Sequence, residues 1–223
     1  LFKLNRTRIQ GDAALALNVV MSYWGTLYKM LQTCEANGDK SAMTAYLDQA
    51  AALWIGAGQP RTSNTQGFML YNLGERAGSS FDQDGSSGEA LINTRVLETF
   101  VSIKQDIDNG ICGSGVGGYV DVRVKVKNLI KYTNVILVQM FLHHVETTAD
   151  SDFSELYSLA LLPQIAACDT EAYQTLNKLT VLKSVTADTR SEITATIQEA
   201  YSCLGILCSD VGEYEGGRIP QCE

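Results

Sequence analysis

A chain of 223 residues, 45% hydrophobic and 19% charged, carries enough apolar material for one sizeable core. Its formal net charge of −8 excludes a general nucleic-acid binder and a domain docked on anionic lipid, both of which need a basic surface, and it favours cationic ligands such as metal ions. With only three prolines among Leu- and Ala-rich stretches, the composition favours an all-α bundle over a sandwich or barrel, with about eight helices in one domain spanning 1–223.

Gly11 and Asp12 open a pattern through Leu15, Val19, Val20, Tyr23, Trp24, Leu27, Tyr28 and Leu31 that closes at Asn37-Gly38. It is apolar on more than one side, which suits a central helix. Asp39 or Ser41 starts the next helix, where Leu47, Ala50, Ala51 and Trp54 recur at helical spacing before Gly56 and Gly58. Thr62, Ser63 and Asn64 read as N-caps of a third helix through Phe68, Leu70, Tyr71 and Leu73. The stretch 46–81 is therefore expected to be a helical hairpin, with Trp54, Tyr71, Glu75 and Arg76 at its corner.

Beyond the polar run 82–89, Ser86 or Ser87 is expected to cap a helix through Ile92, Val96, Phe100, Ile103 and Ile107. Cys112 and the glycines of 113–118 read as a flexible connection able to divide the domain into two halves, and they lack the Lys and Ser/Thr of a phosphate loop. VDVRVKVK at 120–127 alternates like a strand. The longer stripe Val122, Val126, Leu129, Thr133, Ile136, Leu137 and Met140 argues for helix, with Arg123, Lys127 and Lys131 on one solvated face. That helix is expected to end at His143-His144-Val145-Glu146. A capped helix from Asp150 or Ser151 follows and bends at Pro163, a short one starts at Cys168-Asp169, and a last long one runs from Thr186 or Asp188 to Leu207. The tail 212–223 has little to bury and is expected to be loosely ordered.

Cys34, Cys112, Cys168, Cys203, Cys208 and Cys222 form an even set without the close CxxC pairs of a zinc site, so disulfides and an oxidising compartment are expected. Cys203 and Cys208 can bridge directly if the helix breaks at Gly205, or reach Cys168 and Cys222, and the spacing leaves the pairing open. Asn5-Arg6-Thr7 is an N-glycosylation acceptor at Asn5. The chain starts at Leu1 without initiator Met or signal peptide, as a processed or excised segment would. No apolar run reaches the roughly 18 residues of a membrane span. The cysteines and the acceptor sequence together lean secretory.

Five segments occur in an order that resembles the algal low-iron-inducible periplasmic iron-assimilation proteins and the diatom phytotransferrins. They are GAGQ (56–59), GFMLYNLGER (67–76) followed by Phe81, ALINTRVLETF (90–100), LALLPQIAACD (159–169), and AYSCLGILC (200–208) with Val211-Gly212. The resemblance covers roughly residues 45–212 and implies an all-helical, secreted, periplasmic or cell-surface domain for ferric iron acquisition, where the phytotransferrins bind iron together with carbonate, with a metal ion and a surface receptor or a second copy as partners. Where the family often places a cysteine after the basic residue of the LY motif, this chain has Ala77-Gly78.

Ferric iron favours oxygen donors. Tyr71 and Glu75 share a helical face at i, i+4, and Arg76 beside them can hold carbonate bidentately. His143 and Glu146, at i, i+3, are a second candidate donor pair; His144 points about 100° away from His143. The competing reading makes Tyr71 a core residue with a satisfied hydroxyl and Glu75-Arg76 solvent charges. Absence of HExxH, GxSxG or a recognisable nucleophilic cysteine argues for binding rather than catalysis. The alternative function is a structural or adhesive surface module without metal.

Overall fold

The computed structural model describes residues 9–114, 116–147, 151–182 and 185–216. Asn5 and Cys222 lie outside them. Nine α-helical segments occur among the described residues, and no strand does, beyond an isolated bridge between Asp84 and Ala90. They are α1 (Val20–Glu35), α2 (Lys40–Ile55), α3 (Leu70–Ser80), α4 (Leu91–Asp108), α5 (Val116–Glu146), α6 (Ser151–Ala166), α7 (Thr170–Leu176), α8 (Arg190–Glu199) and α9 (Cys208–Val211).

The organising element is α5, not the first helix. At 31 residues it is about 46 Å long, and α1, α3, α4, α6, α8 and α9 all pack against it. Its 133–142 stretch is buried on nearly every side, apart from half-buried surroundings at its start, because neighbours cover it all round. The alternating valines resolve into two helical stripes. Val122 and Val126 face the core at 0% exposure, while Val120 and Val124 are left exposed at 44% and 53%. Period-2 alternation thus arises from a helix that leaves two valines in water.

Side-chain caps set two of the helix starts. Asp39 caps α2 by accepting from the Ser41 N–H, and Asp169 caps α7 by accepting from Glu171 and Ala172. Several expected boundaries are corrected. Ile9 and Gln10 are already helical, so Gly11-Asp12 sits inside the opening helix, which passes through a π-helical stretch, Ala14–Val19, before α1. Thr62, Ser63 and Asn64 cap nothing: α3 starts at Leu70, and the Ser63 hydroxyl instead accepts from Thr65 and Gln66 to form a loop turn. Phe68, expected on the helix, is in that loop. Ser86 and Ser87 likewise cap no helix, since α4 begins at Leu91 after Ala90.

The glycine-rich junction is helical on both sides of residue 115, as a 3₁₀ turn Ile111–Ser114 and then the start of α5. Pro163 lies within α6. The last long helix stops at Glu199 and gives way to a 3₁₀ turn, Ala200–Ser202, before Gly205 at φ +68° turns the chain. Within the described part of the tail, 212–216, two contacts hold the chain to α3 and the residue after it, although Glu213, Glu215 and Gly216 are exposed. Tyr214 lies 5.2 Å from Phe81 between ring centroids, and the Glu215 N–H donates to the Ser80 carbonyl at 3.1 Å.

Two disulfides clamp the bundle. Cys34–Cys112 joins the end of α1 to the turn before α5, and Cys168–Cys203 joins the end of α6 to the turn after α8. Cys208 is disulfide-bonded as well, and none of the described cysteines is free. No helix among the described residues is long and apolar enough to cross a membrane.

Because Cys34–Cys112 closes a span of 78 residues, replacing both with Ala should lower stability by about 2–4 kcal/mol. Urea unfolding of the double variant beside the unreduced parent measures this, and an unchanged midpoint would mean that helix packing alone fixes the α1–α5 junction.

Candidate functional site

Tyr71 and Glu75 stand one turn apart on the face of α3 that meets α4, and Asn93 of α4 joins them. The Asn93 amide donates to the Tyr71 carbonyl at 2.9 Å and to Glu75 Oε1 at 2.7 Å, while its oxygen accepts from Trp54 Nε1 of α2 at 2.9 Å. Indole N–H is a donor only, which fixes the amide orientation. Gly74 permits this contact: a β-carbon there would sit 2.8 Å from Asn93 Oδ1. Gly78, one turn on, gives Ala90 the same close approach. Asn93 and Trp54 are at 0% exposure, so three helices meet through one buried amide.

An oxygen-rich cluster continues from this hub. The Tyr71 hydroxyl lies against the Glu89 carboxylate and 2.8 Å from the Arg61 carbonyl, so one phenolic proton faces two acceptors. Glu75 Oε1 also accepts from the Ala90 N–H at 3.0 Å. Tyr71, Glu75 and Glu89 are all buried. Arg61 pairs with Glu89 at 3.1 Å, but its side chain is 78% exposed and its charge correspondingly screened. Burial, the Glu89 hydrogen bond and the Glu89 and Glu75 charges push the Tyr71 phenol above its ordinary range. For Glu75, burial outweighs the hydrogen bonds from Asn93 and Ala90, and the Glu89 and Asp84 charges reinforce it, so its carboxyl is raised.

Arg76 is not part of that cluster. One residue past Glu75, it is turned about 100° around the helix and reaches Asp12 of the opening helix instead, at 2.9 and 3.3 Å. Tyr157 of α6 donates to the same carboxylate at 2.8 Å. Burial works against the Arg76 charge, and the Asp12 pair more than offsets it, so its pKa is raised. Above this pair lies a groove of about 700 Å³, walled by Leu15 and Val19 of the π-helical stretch and by Phe68 and Met69 of the loop. A smaller pocket of about 250 Å³, lined by Ser79, Ser80 and His143, shares Asn64, Thr65 and Arg76 with the groove.

The structure therefore brings Tyr71 and Glu75 together and separates them from the other expected donors. His143 lines the small pocket beside Arg76, with its ring 5.9 Å from Tyr214. Glu146 is buried and faces Arg190 at 3.7 Å, while His144 is stacked on Phe153 and Tyr157. Tyr28 of α1 and Asp48 of α2, oxygen donors elsewhere in the bundle, are exposed. Lys131 of the basic stripe is committed to Asp210 at 2.7 Å. Among the described residues, no three His, Cys, Asp or Glu side chains are grouped to hold a metal ion; the oxygen cluster consists of one phenol, two carboxylates and a carbonyl. Glu89, Arg61 and Asn93 were not legible as site residues because each lies 10 or more positions from Tyr71. The Gly74/Gly78 spacing, one helical turn, was the available signal that α4 approaches closely.

No protein-family model, curated protein or solved structure matches the chain.

Asn93→Ala would strand the Trp54 N–H and remove a donor from Glu75, so a loss of about 3 kcal/mol is expected in denaturant unfolding. Glu75 supplies a pH signature. Its folded pKa is raised, so its contribution is fully present below the unfolded value near 4.5 and is lost as pH rises through the folded value. Glu75→Gln should therefore gain stability relative to the parent as pH is raised above 4.5. Urea midpoints across a pH series test it; a constant difference would show that Glu75 ionises alike in both states.

Proposed function

We propose that the chain is an extracellular binding domain for ferric iron, with carbonate as co-anion, serving iron assimilation rather than catalysis. The reading is carried by the surplus of acceptors around the Tyr71 hydroxyl, where the Glu89 carboxylate and Arg61 carbonyl converge on a single proton. A hard cation replacing that proton would gain phenolate, carboxylate and carbonyl oxygens at once. Glu75 stands beside them, and its charge is felt at the phenol. Arg61, with its exposed guanidinium beside Glu89, takes the carbonate role, because Arg76 faces Asp12 on another side of α3 and lies outside the cluster. Raised phenol pKa makes uptake proton-coupled, since the metal must displace the Tyr71 proton.

Disulfides and the absence of a membrane-spanning helix among the described residues support an oxidising, extracellular setting. The rival reading, a structural or adhesive surface module on the same scaffold, is favoured by one observation. Glu75 Oε1 already accepts two hydrogen bonds, from Asn93 and Ala90, as a purely structural carboxyl would.

Titration with ferric nitrilotriacetate in bicarbonate buffer should raise a visible phenolate-to-iron absorption band. The band should vanish in Tyr71→Phe, weaken in Glu89→Gln, and shift to higher iron concentration as pH falls. No band with or without bicarbonate would leave the structural module as the reading.

A further inference from the structure

A second site lies on the other side of α3 from the oxygen cluster. We propose that the groove and the adjoining small pocket together bind an amphiphile with an apolar chain and a carboxylate head.

The larger part is apolar and has the size of ordinary small-molecule sites, about 700 Å³. Leu15, Val19 and Met69 wall it, and Phe68 stands at its rim with 87% of its surface in water, an uncommon placement for a phenylalanine with no core role. The smaller part, about 250 Å³, is polar and is lined by Ser79, by Ser80, whose hydroxyl donates to the Arg76 carbonyl at 3.2 Å, and by His143. Arg76 lines both, so the two open onto one guanidinium.

Hydrogen-bond counting sets the head group. Asp12 already accepts three hydrogen bonds, two from Arg76 nitrogens and one from the Tyr157 hydroxyl, out of the roughly four a carboxylate can take. Arg76 presents five N–H donors; Asp12 takes two of them, Tyr157 also lies within hydrogen-bonding reach of the guanidinium, and Nε is buried with no partner of its own. The junction is therefore rich in donors and short of acceptors, and an anionic acceptor fits where a second cation would not. The π-helical stretch Ala14–Val19 widens the helix where the apolar chain would lie, a distortion often found at functional positions. This site shares no side chain with the Tyr71 cluster, so it stands or falls independently of iron binding.

The test is displacement of a dansyl-labelled fatty acid by decanoate and by 1-decanol. Decanoate should compete at least ten-fold more tightly than the alcohol. Ala14→Trp, on an exposed groove wall, should weaken both by ten-fold or more while leaving the circular dichroism and melting temperature unchanged. Ser79→Ala combined with Ser80→Ala should narrow the acid-over-alcohol preference without abolishing binding. The proposal is overturned if neither ligand displaces the probe, if the alcohol competes equally, or if Ala14→Trp binds as the parent does. Tyr71→Phe should leave all of these values unchanged.

Discussion

The Asn93 side chain is the contact on which the arrangement around α3 depends. A buried primary amide has to satisfy both ends, and here one end takes the Trp54 indole while the other serves Glu75 and the Tyr71 backbone. Each partner comes from α2 or α3, so the amide sets the approach of both helices to α4. Apolar packing alone would permit sliding among many near-equivalent positions. A single satisfied amide restricts the register, because any shift leaves a buried donor or acceptor unmatched.

Charge follows the same geometry. Residues 75 and 76 are neighbours in sequence, yet the helical step sends one toward α4 and the other toward the opening helix. Glu75 enters a region already holding Glu89, and burial together with that repulsion favours its neutral form. Arg76 enters a region holding Asp12, where the pair keeps it charged despite burial. One helix of 11 residues thus separates an acceptor-rich face from a donor-rich face. Glu75-Arg76 cannot be a pair of solvent charges, since Glu75 is buried and Arg76 is largely covered.

The helical class was readable because 3.6-residue stripes run the length of the chain, and the caps Asp39 and Asp169 sit where they were expected. The conflict in 120–127 was also resolvable, since Val122 and Val126 belong to a stripe far longer than any strand. Misreadings fell where short polar residues had several uses. Ser63 is a competent cap and an equally competent turn former, and local sequence cannot say which the fold requires. The glycines at 113–118 were legible as breakers but not as residues that neighbouring helices hold in helical form. For the site, i, i+4 spacing brought Tyr71 and Glu75 together correctly. Partners such as Glu89 and Arg61 follow from how the connecting segments fold back, and helical periodicity carries no information about that.

The segment between α2 and α3 ties these features together. Gly56, at φ +74°, ends α2, and the chain then runs without regular structure to Leu70. Along it, Arg61 meets the oxygen cluster while Asn64, Thr65 and Phe68 line the groove. Two α3 side chains hold it, Asn72 donating to the Gln66 carbonyl at 2.9 Å and the Tyr71 hydroxyl donating to the Arg61 carbonyl at 2.8 Å. Tyr71, Asn72 and Arg76 therefore address the same loop from successive faces of one helix. Tyr71 and Glu89 are buried beneath it, so any ion reaching them must displace this segment, whereas the groove is open beside it. The loop thus reaches the two sites through different residues, Arg61 at the oxygen cluster and Asn64, Thr65 and Phe68 at the groove, with α3 standing between them.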